Sequence, residues 1–185
     1  MGTGIILCGL NGAGKSTLGR TLAKELDLYF IDSEDLYFPK ENRDAPYAAP
    51  RTRQEAKRLL LNEMEAHESF VFASVKGDYG EDISAFFQYA VFVDVPKEIR
   101  VQRVKSRSFA QFGNRMLKGG DLYEQEQRFF DFVESRDENT VEAWVRSLRC
   151  PVIRIDGTKP IEKSVALILS RLQTEKPCGQ GQIAH

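Results

Sequence analysis

Gly9-Leu10-Asn11-Gly12-Ala13-Gly14-Lys15-Ser16-Thr17 is the stretch whose reading decides the fold. Its spacing fits G-x-x-x-x-G-K-[ST], a loop that cradles phosphate. Upstream, Thr3 to Cys8 contains the apolar run Ile5-Ile6-Leu7-Cys8, too short for a helix and suited to a buried strand. Downstream, Leu18, Leu22 and Leu26 recur every fourth residue, which marks one face of a helix. Strand, glycine loop and helix together give the motif its chemistry. Gly9, Gly12 and Gly14 allow a turn tight enough for backbone N–H groups to converge on phosphate oxygens. The helix N-terminus adds its dipole and unpaired amides. Lys15 supplies a point charge for the β/γ-phosphates, and the Ser16 hydroxyl suits Mg²⁺. Asn11, Ala13 and Thr17 belong to the same cradle. The stretch predicts binding of a nucleoside triphosphate, taken as ATP with Mg²⁺.

Further along, Leu28 to Ile31 reads as a second strand ending in Asp32-Ser33-Glu34-Asp35. Carboxylates just past a strand's C-terminal end lie where open α/β sheets bind ligands. Residues 37–50 hold three prolines and little periodicity, and read as a surface loop. Thr52 with Glu55 forms a capping box before a helix whose apolar face is Ala56, Leu59, Leu60 and Met64. Ser69 to Val75 is a third strand, followed by the turn Lys76-Gly77-Asp78-Tyr79-Gly80 and a short helix from Ile83 to Gln88. Ala90 to Val95 is a fourth strand, and Pro96 opens a helix bearing Arg100, Arg103 and Arg107 as one stripe of positive charge.

Ser108 to Gly120 lacks clear periodicity and contains Gly113, Gly119 and Gly120, so it reads as a mobile segment. Asp121 with Glu124 suggests an N-cap pair for a helix that groups Leu122, Glu126, Phe129, Phe130 and Val133 near one side. Asn139 with Glu142 starts another helix, around Trp144 and Leu148. Val152 to Ile155 is a fifth strand, and Ile161, Val165, Ile168 and Leu172 mark the last helix. Five strands alternating with helices predict a three-layer α/β/α domain with a five-stranded parallel sheet, spanning residues 1–173. Residues 174–185 read as a flexible tail.

The chain has 185 residues and a formal net charge of −1, which gives no general attraction to nucleic acid or to an anionic membrane. Three cysteines, Cys8, Cys150 and Cys178, form no close-spaced metal pattern and favour a reducing, cytoplasmic setting. No basic leader followed by a long apolar segment opens the chain, and no run approaches a membrane span. A monomer or weak dimer is expected. His67 and His185 are too few and too far apart to make a site.

The phosphate loop, the passage Val93-Asp94-Val95-Pro96 to Arg103-Val104-Lys105-Ser106-Arg107, and Asp156-Gly157-Thr158-Lys159-Pro160 resemble adenylate kinase. More broadly, residues 3–173 resemble the small P-loop kinases, including shikimate and gluconate kinases. That resemblance implies a nucleoside-monophosphate-kinase-like fold in which Arg103 and Arg107 lie over the adenine and phosphates. It places Thr158 and Lys159 in the loop bordering the adenine. It makes residues 108–120 a lid, with Arg115 reaching the transferring phosphoryl group. The Asp-Gly-Phe-Pro-Arg signature of adenylate kinase is absent, and Ala73-Ser74-Val75-Lys76-Gly77-Asp78-Tyr79 stands in its place. Asp32-Ser33-Glu34-Asp35 resembles the carboxylate cluster of shikimate kinase. Asp35-Leu36-Tyr37, Pro39, Asn42, Lys76 and Tyr79 resemble gluconate kinase.

Phosphoryl transfer asks mainly for positioning and positive charge. Asp32 is placed to hold a Mg²⁺-bound water and Asp35 to orient or deprotonate an acceptor hydroxyl. The competing reading of the acidic run is a solvated, helix-capping turn. For the arginine stripe it is an exposed helix face paired with carboxylates. Arg51 and Arg53, beside a helix N-terminus where cations oppose the dipole, suit an anionic acceptor, with Lys76 and Tyr79 nearby in the acceptor region. The residues and the resemblance together point to an ATP-dependent phosphotransferase acting on a small molecule, nucleotide-like or polyol- or sugar-acid-like. The alternative is a nucleotide-hydrolysing switch with no acceptor.

Overall fold

The computed structural model describes residues 2–38 and 50–177. Pro39, Asn42, Cys178, His185 and most of the expected loop and tail lie outside the described residues. The first strand, β1 (Gly4–Cys8), is buried along its whole length, as its unbroken apolar run predicts. Alternation divides its side chains between two cores. Ile5 and Leu7 pack with Leu18 and Leu22 of helix α1 (Lys15–Leu26), and Ile6 faces the other way.

Strand β2 (Tyr29–Asp32) runs directly into a one-turn helix, α2 (Ser33–Tyr37). The capping box at Thr52 is present and opens α3 (Arg53–Ala66), with Ala56, Leu60 and Met64 buried. Strand β3 (Phe70–Ala73) follows. The helix expected over residues 83–88 is shorter and earlier, α4 (Glu81–Ser84), because Phe86 and Phe87 turn in toward the core behind Ile83. Strand β4 (Tyr89–Asp94) leads to α5 (Lys97–Phe112).

Two helix starts differ from expectation. Asp121 does not cap α6 (Tyr123–Ser135): its carboxylate is held by Arg115 instead. Helix α7 (Asn139–Ser147) is entered through Asp137, whose Oδ1 accepts the Asn139 amide at 2.9 Å. Glu142, expected to be the capping partner there, binds Arg146 and Arg154. Strand β5 (Val152–Asp156) and helix α8 (Ile161–Thr174) complete the described chain.

All five strands are parallel, in the order β2-β3-β1-β4-β5. α1 and α8 cover one face through Leu22, Val165 and Ile168, and α3 covers the other through Leu60 and Met64. The crossovers leaving β1 and β3 run in opposite directions, so a crevice opens at the carboxyl ends of these neighbours. The Gly9 amide donates to Val75 O at 3.2 Å and the Ser74 amide to Leu7 O at 3.0 Å, fixing the floor of that crevice. No helix among the described residues is long and apolar enough to cross a membrane.

Candidate active site

A cavity of about 940 Å³ fills the crevice. Its floor is the 9–17 loop. Gly12 and Gly14 have φ of 82° and 90°, in the left-handed region that side chains avoid. A Cβ at Gly12 would also lie 2.3 Å from Arg100 O, so only glycine lets α5 press against the loop. Gly14 precedes α1 without any side-chain cap, leaving the helix's first amides for a ligand.

Lys15 folds back so that Nζ donates to Leu10 O at 3.1 Å. Burial pulls its ammonium down from the ordinary lysine range to about 8, while Asp32 and Cys8 oppose the shift. An anion in the loop would restore the charge. Cys8, directly behind the loop, is a buried free thiol pushed up to about 12 by burial. It packs and does not react.

One wall comes from the end of β2. Asp32 is buried, its Oδ1 accepts the Glu34 amide at 3.1 Å, and its Oδ2 faces Arg20 at 3.3 Å. The acidic run is therefore both a helix cap and a cavity wall. Glu34 lines the cavity beside Arg107, 4.0 Å away, whereas Asp35 is exposed and lies outside the lining. Asp35, expected at an acceptor, is thus placed apart from the cavity: a one-turn helix rotates position 35 outward and position 34 inward.

The opposite wall is α5, whose buried residues are Arg100, Val104, Ser108 and Phe112, four apart. This row corrects two expectations. Arg100 is not part of an exposed stripe. It is 2% exposed and donates to Val95 O, Asn11 O and Glu138, holding the phosphate loop against the sheet edge. The helix also runs on through 108–112, so only residues 113–122, a 3₁₀ turn (Gly113–Met116) and the turns after it, interrupt regular structure. Arg103 and Arg107 line the cavity, and Arg103 donates to Gly157 O at 3.0 Å, joining α5 to the 156–159 loop. Thr158 and Lys159 are exposed in that loop and bound to Asp156, outside the lining.

Arg115 also stands outside the cavity, in an ion pair with Asp121 at 2.6 Å. A different arginine takes a place in the lining: Arg136, just past α6, reaches Asn11 Oδ1 at 3.5 Å and stacks over Phe132. Burial, then the charge of Arg100, pull its guanidinium below the usual arginine range. Flanked in sequence by Ser135, Asp137 and Glu138, it reads as a solvated residue, and only the fold reveals it.

The far half of the cavity gathers Arg53, Lys76, Asp78 and Tyr79. Arg53 lies over the Tyr79 ring and 3.6 Å from Asp78; Lys76 is 2.9 Å from the same carboxylate. The Tyr79 hydroxyl is held above its usual range by burial and by a hydrogen bond with Tyr37. Helix α6 also lines the cavity, through Gln125, Glu126 and Phe129. Of the loop residues, Asn11, Gly12, Gly14, Lys15, Ser16 and Thr17 face the space, while Gly9 and Ala13 are buried behind it.

Residues 5–111 match the protein family described as AAA domain. The chain is 28% identical over 178 residues to the uncharacterized protein YqaC of Bacillus subtilis (strain 168), covering 92% of this chain and 97% of that protein. It is 30% identical over 129 residues to the shikimate kinase of Acinetobacter baumannii (strain AYE), covering 64% of this chain and 72% of that one. Among solved structures, a gluconokinase from Sinorhizobium meliloti 1021 has a TM-score of 0.57 at 18% identity, covering 94% of this chain and 92% of its own, a likeness of fold. With the family model matched over more than half of its length and a shikimate kinase relative 30% identical, the chain belongs to the AAA-domain family and to the small P-loop kinases.

Proposed function

We propose that this protein transfers the γ-phosphoryl group of ATP to a hydroxyl of a small molecule. One observation carries the reading. One cavity is lined both by a complete phosphate loop and by side chains of α2, α3, the turn after β3, and α6, which leaves room for a second substrate beside the nucleotide. A switch that only hydrolyses nucleotide has no use for that room. The donor set at the loop fits ATP·Mg²⁺, with free helix amides, a half-buried lysine, a hydroxyl and a nearby carboxylate.

ATP·Mg²⁺ supplies the phosphoryl group and a charge that offsets its oxygens. Ser16 would hold the metal directly, and Asp32 through water. Lys15 binds the β/γ-phosphates, with Arg103 and Arg107 along one side. Arg136, next to Asn11, stabilises the charge that spreads over the equatorial oxygens during transfer. As the acceptor oxygen bonds to phosphorus and the bond to the bridging oxygen breaks, the hydroxyl proton passes to Glu34. Arg53, Lys76 and Tyr79 orient the acceptor. The 113–120 segment closes over the site, with Gly113 (φ 55°) and Gly119 (φ 92°) as pivots, and Arg115 exchanges Asp121 for phosphate.

Lys15→Ala tests the reading. The variant should keep the wild-type fold by circular dichroism and lose turnover by a factor on the order of 10³ or more. Wild-type turnover in a folded Lys15→Ala protein would sink it.

A further inference from the structure

Glu126 stands apart from the other groups of the site. It lies on the buried row of α6 with Phe130 and Val133, where Leu122 precedes it by one turn, and it is 2% exposed. Val104, Phe112, Met116, Leu122, Phe130 and Val133 form the apolar cluster beneath that helix. An apolar side chain at 126 would extend this cluster, yet a carboxylate occupies the position and lines the cavity. Among the described residues its Oε2 has no hydrogen-bond partner. Buried carboxylate oxygens are ordinarily paired, and an unpaired one destabilises the fold. Such a cost persists where a ligand makes the missing contact.

We infer that Glu126 receives a hydrogen-bond donor of the phosphoryl acceptor, and that the acceptor presents hydroxyl or ammonium groups at this end and carries no carboxylate or phosphate there. The inference rests on the phosphotransferase reading and narrows its substrate class. Charge supports it. The two cations of the acceptor half, Arg53 and Lys76, both face Asp78, at 3.6 Å and 2.9 Å. Arg107 faces Glu34 at 4.0 Å. An acid group entering beside Glu126 would meet its unpaired, buried carboxylate, which disfavours it. Ser108, Gln111 and Gln125 line the same cavity and add uncharged donors and acceptors suited to a polyhydroxylated molecule.

The experiment compares the wild type with Glu126→Gln, near-identical in shape. Sorbitol, glucosamine and cytidine serve as uncharged or cationic acceptors, and gluconate, shikimate and CMP as acidic ones, each with ATP·Mg²⁺. The wild type should phosphorylate members of the first group in preference to the second. In Glu126→Gln the preference, as a ratio of kcat/KM values, should fall at least about tenfold with the KM for ATP unchanged. Its Tm should equal or exceed that of the wild type, because no satisfied contact is lost. A preference for the acidic group, an unchanged ratio, or a Tm lowered by several degrees would each overturn the assignment while leaving the kinase reading intact. Transfer to no member, with ATP hydrolysed equally in their presence and absence, would overturn the phosphotransferase reading itself.

Discussion

The two halves of the cavity are made by different means. The donor half is mostly backbone from one continuous stretch, residues 9–17, fixed by glycine conformations and by the buried Arg100 behind it. The proposed acceptor half is side chains from α2, α3 and the turn after β3, segments far apart in the chain that line one cavity. A backbone cradle recognises phosphate in whatever nucleotide carries it. A ring of side chains can be changed one residue at a time, so specificity for the acceptor belongs there. The contrast predicts that donor-side substitutions act on turnover and ATP, and acceptor-side substitutions on the other substrate.

The largest test of the contrast, after removal of Lys15, lies in the arginines. Arg136→Ala is expected to lower kcat by about 10²-fold with a smaller change in the KM for ATP, since its contact strengthens in the transition state. Arg115→Ala should cost less, about tenfold, because Arg115 must first leave Asp121. Steady-state kinetics on both variants decides the order. A larger loss at Arg115 would reverse the assignment and make the closed segment the main source of positive charge.

A proton linkage sharpens the donor side. Burial lowers the Lys15 ammonium to about 8 in the free protein, and bound phosphate raises it again. ATP affinity should therefore fall as pH rises through about 8, by at most roughly tenfold per pH unit, with proton uptake on binding. Calorimetry in buffers of different ionisation heat measures that uptake. No uptake and constant affinity between about pH 7 and about pH 9 would show that Lys15 is already fully charged in the free loop.

The smallest effect belongs to the acceptor side. Thr52 caps α3 through reciprocal bonds with Glu55, next to Arg53. Thr52→Ala should destabilise the fold by about 1 kcal/mol. Near α3's first turn, Arg53 loses its fixed position, so the acceptor KM should rise several-fold while the KM for ATP stays constant. A parallel rise in both would mean that the halves are not mechanically separate.

The same division explains what the sequence reveals. The phosphate loop is legible because its chemistry and its spacing are one local fact, and the strands around it are short apolar runs. The α3 capping box is legible for the same reason. Arg100 is misread because three arginines at helical spacing look like one exposed stripe, while the row through Val104, Ser108 and Phe112 places the first of them inside. Glu34 and Asp35 are not told apart in the sequence because a single turn of helix, too short for any periodicity, sets which one faces the crevice. Arg136 depends on where α6 ends relative to Asn11, a contact across 125 residues. Glu126 does leave a trace: a carboxylate grouped with Leu122, Phe129, Phe130 and Val133 on one side of a helix is out of place.

The central claim is transfer, as opposed to hydrolysis, and ³¹P NMR of the running reaction tests it directly. With ATP·Mg²⁺ and a hydroxyl acceptor, the γ-phosphate signal should be replaced by a phosphomonoester signal equal to the ADP formed, with little inorganic phosphate. Inorganic phosphate accumulating in step with ADP, at the same rate with and without acceptor, would contradict the account.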